Sequence, residues 1–288
     1  MIMPQRRLLQ TMGVGLLAVG IELMLGVSMM ASAQIQFKPP NIGRPTTTAG
    51  GGVRFSPVVP RRISPGTPRE APLSPVVPGA PTGTAGSAIR VAPCSTEKTP
   101  LTALVPSSKS GTFGLTTETH PTFFVYLPKP TAQSAEFVLT TKDGQDVYRA
   151  TMPLSGQSGL VSVQLPATAP ALGVGQFYQW HFSVICDPND RVKDNLVSAW
   201  VQRVQPDPAL AAKLADASAR QRPGIYADAG IWQDTLTTLA ALRRAHPADP
   251  TLIKDWNSLL ESVGLGAIVK AVDSTPVTPL TVNTPPPP

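Results

Sequence analysis

Across residues 176–186 apolar and polar side chains alternate, with Tyr178, Trp180, Phe182, Val184 and Cys186 on one side and Gln179, His181 and Ser183 on the other. A period of two marks a strand with one face on a core. Further candidate strands lie over residues 122–127, 134–140, 145–152, 159–165 and 195–204. Ala135, Phe137 and Leu139 share one face of theirs, as do Val161, Val163 and Leu165. Lys142-Asp143-Gly144 separates two alternating runs and reads as a hairpin turn. In the last strand Val197, Ala199 and Val201 form the inward set, which puts Trp200 on the opposite face, where it is expected to receive helices.

After Pro206 the period becomes helical. Asp207-Pro208 opens a helix to about residue 220, Pro223 restarts one to residue 229, and a third covers 231–245. Asp249-Pro250 is an N-cap followed by proline at the first helical position, and Gly264 ends that helix. Strands without intervening helical pattern, then helices, predict an antiparallel β-sandwich over 93–205 and a short α-helical C-terminal subdomain over 206–265 packed on it. The lead-in Leu172-x-x-Gly175-x-x-Tyr178-x-Trp180 resembles the tyrosine corner of immunoglobulin-like and fibronectin-like sandwiches, where the tyrosine bonds back to the corner. Gly230-x-Trp232, Pro247, Leu239 and Leu242 resemble the second half of a tetratricopeptide-type hairpin. Thr235 stands where that repeat has alanine, and no second copy is visible.

The ends of the chain have another texture. Arg6 and Arg7, the apolar run to Ile21 and Ala31-Ser32-Ala33 read as a signal peptide over 1–33. Glu22 interrupts the run; an uncleaved N-terminal membrane anchor is the alternative reading. Residues 34–92 are rich in Pro, Gly, Ser and Thr and repeat SPVVP at 56–60 and 74–78. That composition predicts a disordered linker, and residues 266–288 a disordered tail. Seven basic residues against the single acid Glu70 give the linker the whole +6 net charge of the chain. The high isoelectric point therefore belongs to a spacer, which argues against nucleic-acid binding.

Taken together, Cys94…LTALVP, GLT…HPTFFVYLP, AEFVL, Ile185-Cys186-Asp187-Pro188, Trp200-Val201-Gln202-Arg203-Val204 and YADAGIWQDTLTTLAALRRAHPAD…DWNSLL resemble one family, the cyanobacterial domain of unknown function number 928. The resemblance covers roughly residues 93–265. It implies an exported cyanobacterial protein and carries no activity or catalytic residues with it. The Gly-Arg-Arg and triple-glycine segment found upstream in members survives here as Gly43-Arg44 and Gly50-Gly51-Gly52-Val53-Arg54, interrupted by TTTA.

The sharpest chemical signal is the cysteine count. An exported chain with only Cys94 and Cys186 pairs them most simply as a disulfide. Two buried thiols, or a copper or haem role, are the alternatives; no CxxCH motif or His-rich cluster supports the metal. His120, His181 and His246 lack metal-ligand spacing and read as surface residues. Asp187, Asn189, Asp190 and Asp194 fit Asx-type turns better than a calcium loop. Asp228 and Asp234 flank the Gly230 turn and resemble a carboxylate pair, but helix-end solvation explains them equally. No nucleophile elbow, P-loop, zinc-protease helix or dinucleotide fingerprint is present. The expected function is a non-catalytic interaction or envelope-associated role in the periplasm or outside the cell, with a protein partner or the cell envelope and with no cofactor, metal or small-molecule substrate. Trp200, Trp232, Arg203, Arg243 and Arg244 are the candidate interaction surface. The alternatives are glycan or peptidoglycan binding through exposed Trp200 or Tyr126 with the basic linker, and an uncharacterised enzyme.

Overall fold

The computed structural model of the chain describes residues 34–40, 94–95, 97–108, 111–272 and 275–281. The signal segment 1–33 and residues 41–93 of the linker, with both SPVVP copies and the glycine segment, lie outside them. Three strands open the body: β1 (Thr102–Ala103), β2 (Ser107–Ser108) and β3 (Gly111–Thr116). The alternating stretches then follow, within two residues of the predicted ends, as β4 (Thr122–Leu127), β5 (Ser134–Thr141), β6 (Asp146–Pro153), β7 (Gly159–Gln164), β8 (Phe177–Val184) and β9 (Asn195–Arg203). The helices are α1 (Pro208–Asp216), α2 (Arg222–Asp228), α3 (Trp232–Ala245), α4 (Pro250–Ser262) and α5 (Gly266–Ala271), and β10 (Thr278–Pro279) comes last.

The strands make two sheets. One runs β2-β3-β9-β8-β5-β6 and the other β1-β4-β7-β10. Alternation selects their facing sides: Phe137 and Trp180 of the first meet Phe123 of the second at ring-centroid distances of 5.0 and 5.3 Å. Phe182, Val197, Ala199 and Val201 extend the same buried layer. Such aromatic contacts add about 0.5–1.5 kcal/mol each beyond the area they bury. The turn at Asp143-Gly144 joins β5 to β6, with Gly144 at φ +81. The Tyr178 hydroxyl accepts the Gly173 backbone N–H at 2.9 Å, closing the corner ahead of β8.

The second sheet buries its other side as well, through Phe124, Tyr126 and Leu160. Helix α3 packs on β4 and also on β3. Aspartates start α1 and α4: Asp207 accepts the Leu210 N–H at 2.8 Å and Asp249 the Thr251 N–H at 2.9 Å. Each is followed by proline at the helix start, where a missing N–H costs nothing. All described residues fall within one compact unit, Gln34–Pro288, so the helices share a body with the sheets.

Three expectations need correction. The sheets are not wholly antiparallel: β3 pairs parallel with β9, and β10 parallel with β7. Parallel neighbours need long connections, and these pairs are the ones most separated along the chain. The linker does not begin at residue 34, because Phe37 is 7% exposed and packs on Trp232. The tail is not solvated from 266, because Ile268 and Val277 are buried and β10 adds to the second sheet. In each case one or two apolar side chains within a polar, proline-rich stretch suffice to dock it.

Cys94 and Cys186 form a disulfide with Cα atoms 5.3 Å apart, bridging 92 positions of sequence. It ties the chain ahead of β1 to the chain just beyond β8. The Cys94 carbonyl accepts the Thr131 N–H at 2.9 Å, and Asp194 accepts the Cys186 N–H at 3.2 Å. Closing a loop of that length restricts the unfolded chain by about 4–5 kcal/mol in the chain-entropy account. Replacing both cysteines by serine is expected to lower the unfolding free energy from denaturant titration by that amount, and reduction of the parent protein should match it. A loss under about 1 kcal/mol would show that the bond contributes little.

Candidate functional site

The polar residues that the fold draws together lie where α3 begins. The turn at Gly230 and the first residues of α3 set Trp232 and Asp234 against β3. Trp232 is fully buried, and its indole N–H donates to the Leu104 carbonyl at 2.7 Å. Gly114 leaves the space: a Cβ there would come within 3.3 Å of the Trp232 ring. Two residues along, the Asp234 carboxylate accepts the Thr116 hydroxyl at 2.8 Å, the Thr117 backbone N–H at 3.2 Å and the Thr117 hydroxyl. The position suits an anion, since the helix dipole is positive at its N-terminus.

Arg203, at the end of β9, completes the joint. Its Nε donates to the Thr117 carbonyl at 3.2 Å and its Nη1 to the Leu172 carbonyl at 2.9 Å. Tyr226 of α2 lies beside it; burial first, then the Asp234 charge, pushes its phenol up. Both Asp234 oxygens are thus committed to backbone and hydroxyl donors of one loop. The arrangement can clamp a helix to a sheet edge. It does not present a carboxylate to a substrate.

The five residues nominated from the sequence do not form one surface. Trp232 is core and Arg203 holds two loops. Trp200 does lie on the face opposite Val197, Ala199 and Val201, but it is only 7% exposed, and in register it sits between Phe113 of β3 and Gln179 of β8. Helix α3 packs on β3 and β4, with Trp232 on the Gly114 side of β3, the side that Val201 shares in register. Arg243 is buried, its guanidinium 4.9 Å from the Trp256 ring centre, beside a cavity of about 190 Å³ that Leu160 and Val269 also line. Arg244 alone is exposed. Residue type marked these positions; the helical phase that buries Arg243 and exposes Arg244 decides between them.

The remaining candidates resolve in the same way. Tyr126 is buried with its hydroxyl on Glu97 at 2.9 Å, and burial followed by that bond pushes the phenol up to about 12. His181 is 8% exposed and not a surface residue. His120 bonds the Ala169 carbonyl at 3.0 Å, while His246 is the exposed C-cap of α3. Asp228 is exposed and pairs with Lys38, well apart in role from Asp234. Asp187 and Asp190 accept the N–H groups of Asn189 and Val192 in short turns, and Asp194 pairs with Arg191. Sequence reasoning missed Thr116, Thr117 and the part Asp234 plays; the one legible hint was an acid at the third position of a helix without a side-chain cap.

A family profile described as Domain of Unknown Function (DUF928) matches residues 84–272. No curated protein matches the chain.

Two buried groups give opposite pH responses. Burial pushes the Asp234 carboxyl up from 3.8 to about 6, against its bonds from Thr117 and Thr116. The folded chain then holds this proton more tightly than the unfolded chain, so the stability it contributes at low pH is lost as pH rises from about 4 to about 6. Burial, then Arg149, pushes the His181 imidazole down from 6.5 to about 4. Its contribution is present above about 6.5 and is lost as pH falls towards about 4. Each amounts to about 3 kcal/mol, and they largely cancel. Urea unfolding of the parent should change little between pH about 4 and about 6.5. Asp234→Asn should make stability rise with pH across that window, and His181→Gln should make it fall. Identical slopes in both variants would contradict the assignment.

Proposed function

We propose, for a chain that belongs to the DUF928 family, a non-catalytic role outside the cytoplasm as an interaction or envelope-associated protein. The observation that carries the reading is the disulfide between the only two cysteines, because such bonds persist in oxidising compartments. The segment 1–33 supplies the export signal in this reading, and among the described residues no helix is long and apolar enough to cross a membrane. With the cyanobacterial origin that the family resemblance implies, this reading puts the role in the periplasm or outside the cell.

The finer structural reading follows the same line. The Tyr178–Gly173 bond and the two facing sheets support an immunoglobulin- or fibronectin-like sandwich used as a scaffold. Helices α2 and α3, with Gly230 and Trp232 at their turn, support a single tetratricopeptide-like hairpin whose packing face is spent on the sheets and not on a superhelix. Glycan stacking loses its basis in Trp200 and Tyr126, which bury their rings. An enzyme reading draws no support from Asp234, whose oxygens serve the fold.

Crosslinking in the native envelope tests the role. The full chain and a form lacking residues 41–92 are each recovered and their partners identified by mass spectrometry. A defined protein partner retained by both forms is the expected result. Recovery of cell-wall or lipid material alone, and only with residues 41–92 present, would overturn the interaction reading in favour of tethering.

A further inference from the structure

Residues 34–40 run extended over the helices, with Ile35 and Phe37 turned inward and Gln34, Gln36 and Lys38 outward. Four features of the seat read this segment. The Phe37 ring meets Trp232 edge-on at 4.8 Å. The main chain is held at two points, by Phe37 N–H to Ser262 Oγ and by Lys38 N–H to the Ala227 carbonyl, both at 3.1 Å. Lys38 pairs with Asp228 at 2.7 Å. Gly230, at φ +73, lets the backbone approach: a Cβ there would come within 2.9 Å of the Lys38 carbonyl oxygen and of Pro40.

We propose that this seat, between the α2–α3 turn and α4, is a docking groove for an extended segment of a partner protein that carries an aromatic residue followed by a cation. Residues 34–40 are its occupant in cis. Main-chain bonds hold any extended peptide, while a ring pocket and one carboxylate choose among sequences, which is how peptide grooves combine affinity with selectivity. The acidic side of the groove, Asp228 with the half-buried Asp255, fits a basic ligand; burial pushes the Asp255 carboxyl up, and a hydrogen bond from the Ile35 backbone opposes that. The resident segment is joined to the body by the 53 intervening residues from 41 to 93, and a covalent tether gives a local concentration on the order of 1 mM. It therefore competes with every foreign peptide and sets the affinity a partner must exceed. The groove stands on these contacts; only its assignment to a foreign protein rests on the interaction reading above.

The test uses the full chain and a fluorescent synthetic peptide of residues 34–40, followed by anisotropy. The Phe37→Ala chain, whose own segment is weakened, should bind the peptide at least about tenfold more tightly than the parent. A peptide carrying Phe37→Ala should lose binding. A peptide carrying Lys38→Glu should bind poorly, and better again to a chain carrying both Phe37→Ala and Asp228→Lys. Should Phe37→Ala disturb the fold, the Lys38→Glu chain opens the same seat by breaking an exposed ion pair, and its peptide affinity should rise in the same direction. No saturable binding to either folded variant at about 1 mM peptide would overturn the groove. A parent chain that runs as a dimer, dissociated by the peptide, would overturn the foreign partner and give the groove to a second copy. No peptide binding alongside a retained crosslinked protein removes the groove and leaves the interaction role; peptide binding without any crosslinked protein does the reverse.

Discussion

Two residues at the start of α3, Trp232 and Asp234, hold the helices to the sheets. Trp232 buries its whole ring beside Gly114 and gives its one N–H to Leu104. Asp234 takes up the donors of Thr116 and Thr117 where β3 ends. A buried indole or carboxylate left unpaired would cost about 1–3 kcal/mol or more, so the helix cannot slide or lift without leaving both unsatisfied. The same contacts fix β3, the strand that meets β9 in parallel with no hairpin to set its register. Arg203 carries the constraint onward to the corner at Leu172. The sheet edge, the helices and the corner thus depend on one short turn of helix.

Burying that turn has consequences for function. The aromatic side chains that looked available in the chain are consumed: Trp200, Trp232 and Tyr126 are all buried, and Trp256 lies beneath the guanidinium of Arg243. What stays accessible is backbone and charge around the α2–α3 turn, and there the chain lays its own residues 34–40. The disulfide, bridging the chain ahead of β1 and the chain beyond β8, suits a protein that holds its shape where reductants are scarce. The turn that locks the helices to the sheets is also the one that receives residues 34–40, since Trp232 meets both Leu104 and Phe37.

Legibility in the sequence followed how much each stretch buries. Strands β5 to β9 were readable because each alternates over six or more residues, and β4 because it is a continuous apolar run bounded by turn residues. Helices α3 and α4 were readable from period and caps, and α1 was drawn too long past Asp216. Strand β3 was missed because Gly114 and the polar Thr112 and Thr116 blur its pattern; the glycine exists for Trp232, a contact 118 positions away. Strand β10 was hidden by proline, and the seven residues at 34–40 by a single buried ring, Phe37. The candidate surface failed for a related reason. Tryptophan and arginine mark places where energy is concentrated, in cores and joints as much as at interfaces, and only packing tells which.

Native-state hydrogen exchange on the full chain tests the central claim most directly. If the start of α3 locks helices and sheets into one body, amides of α3, α4, β3 and β9 should open together, with one free energy equal to that of global unfolding. Exchange of α3 and α4 at a distinctly lower free energy, with the sheets still protected, would contradict it and make the helices a separate, loosely attached unit.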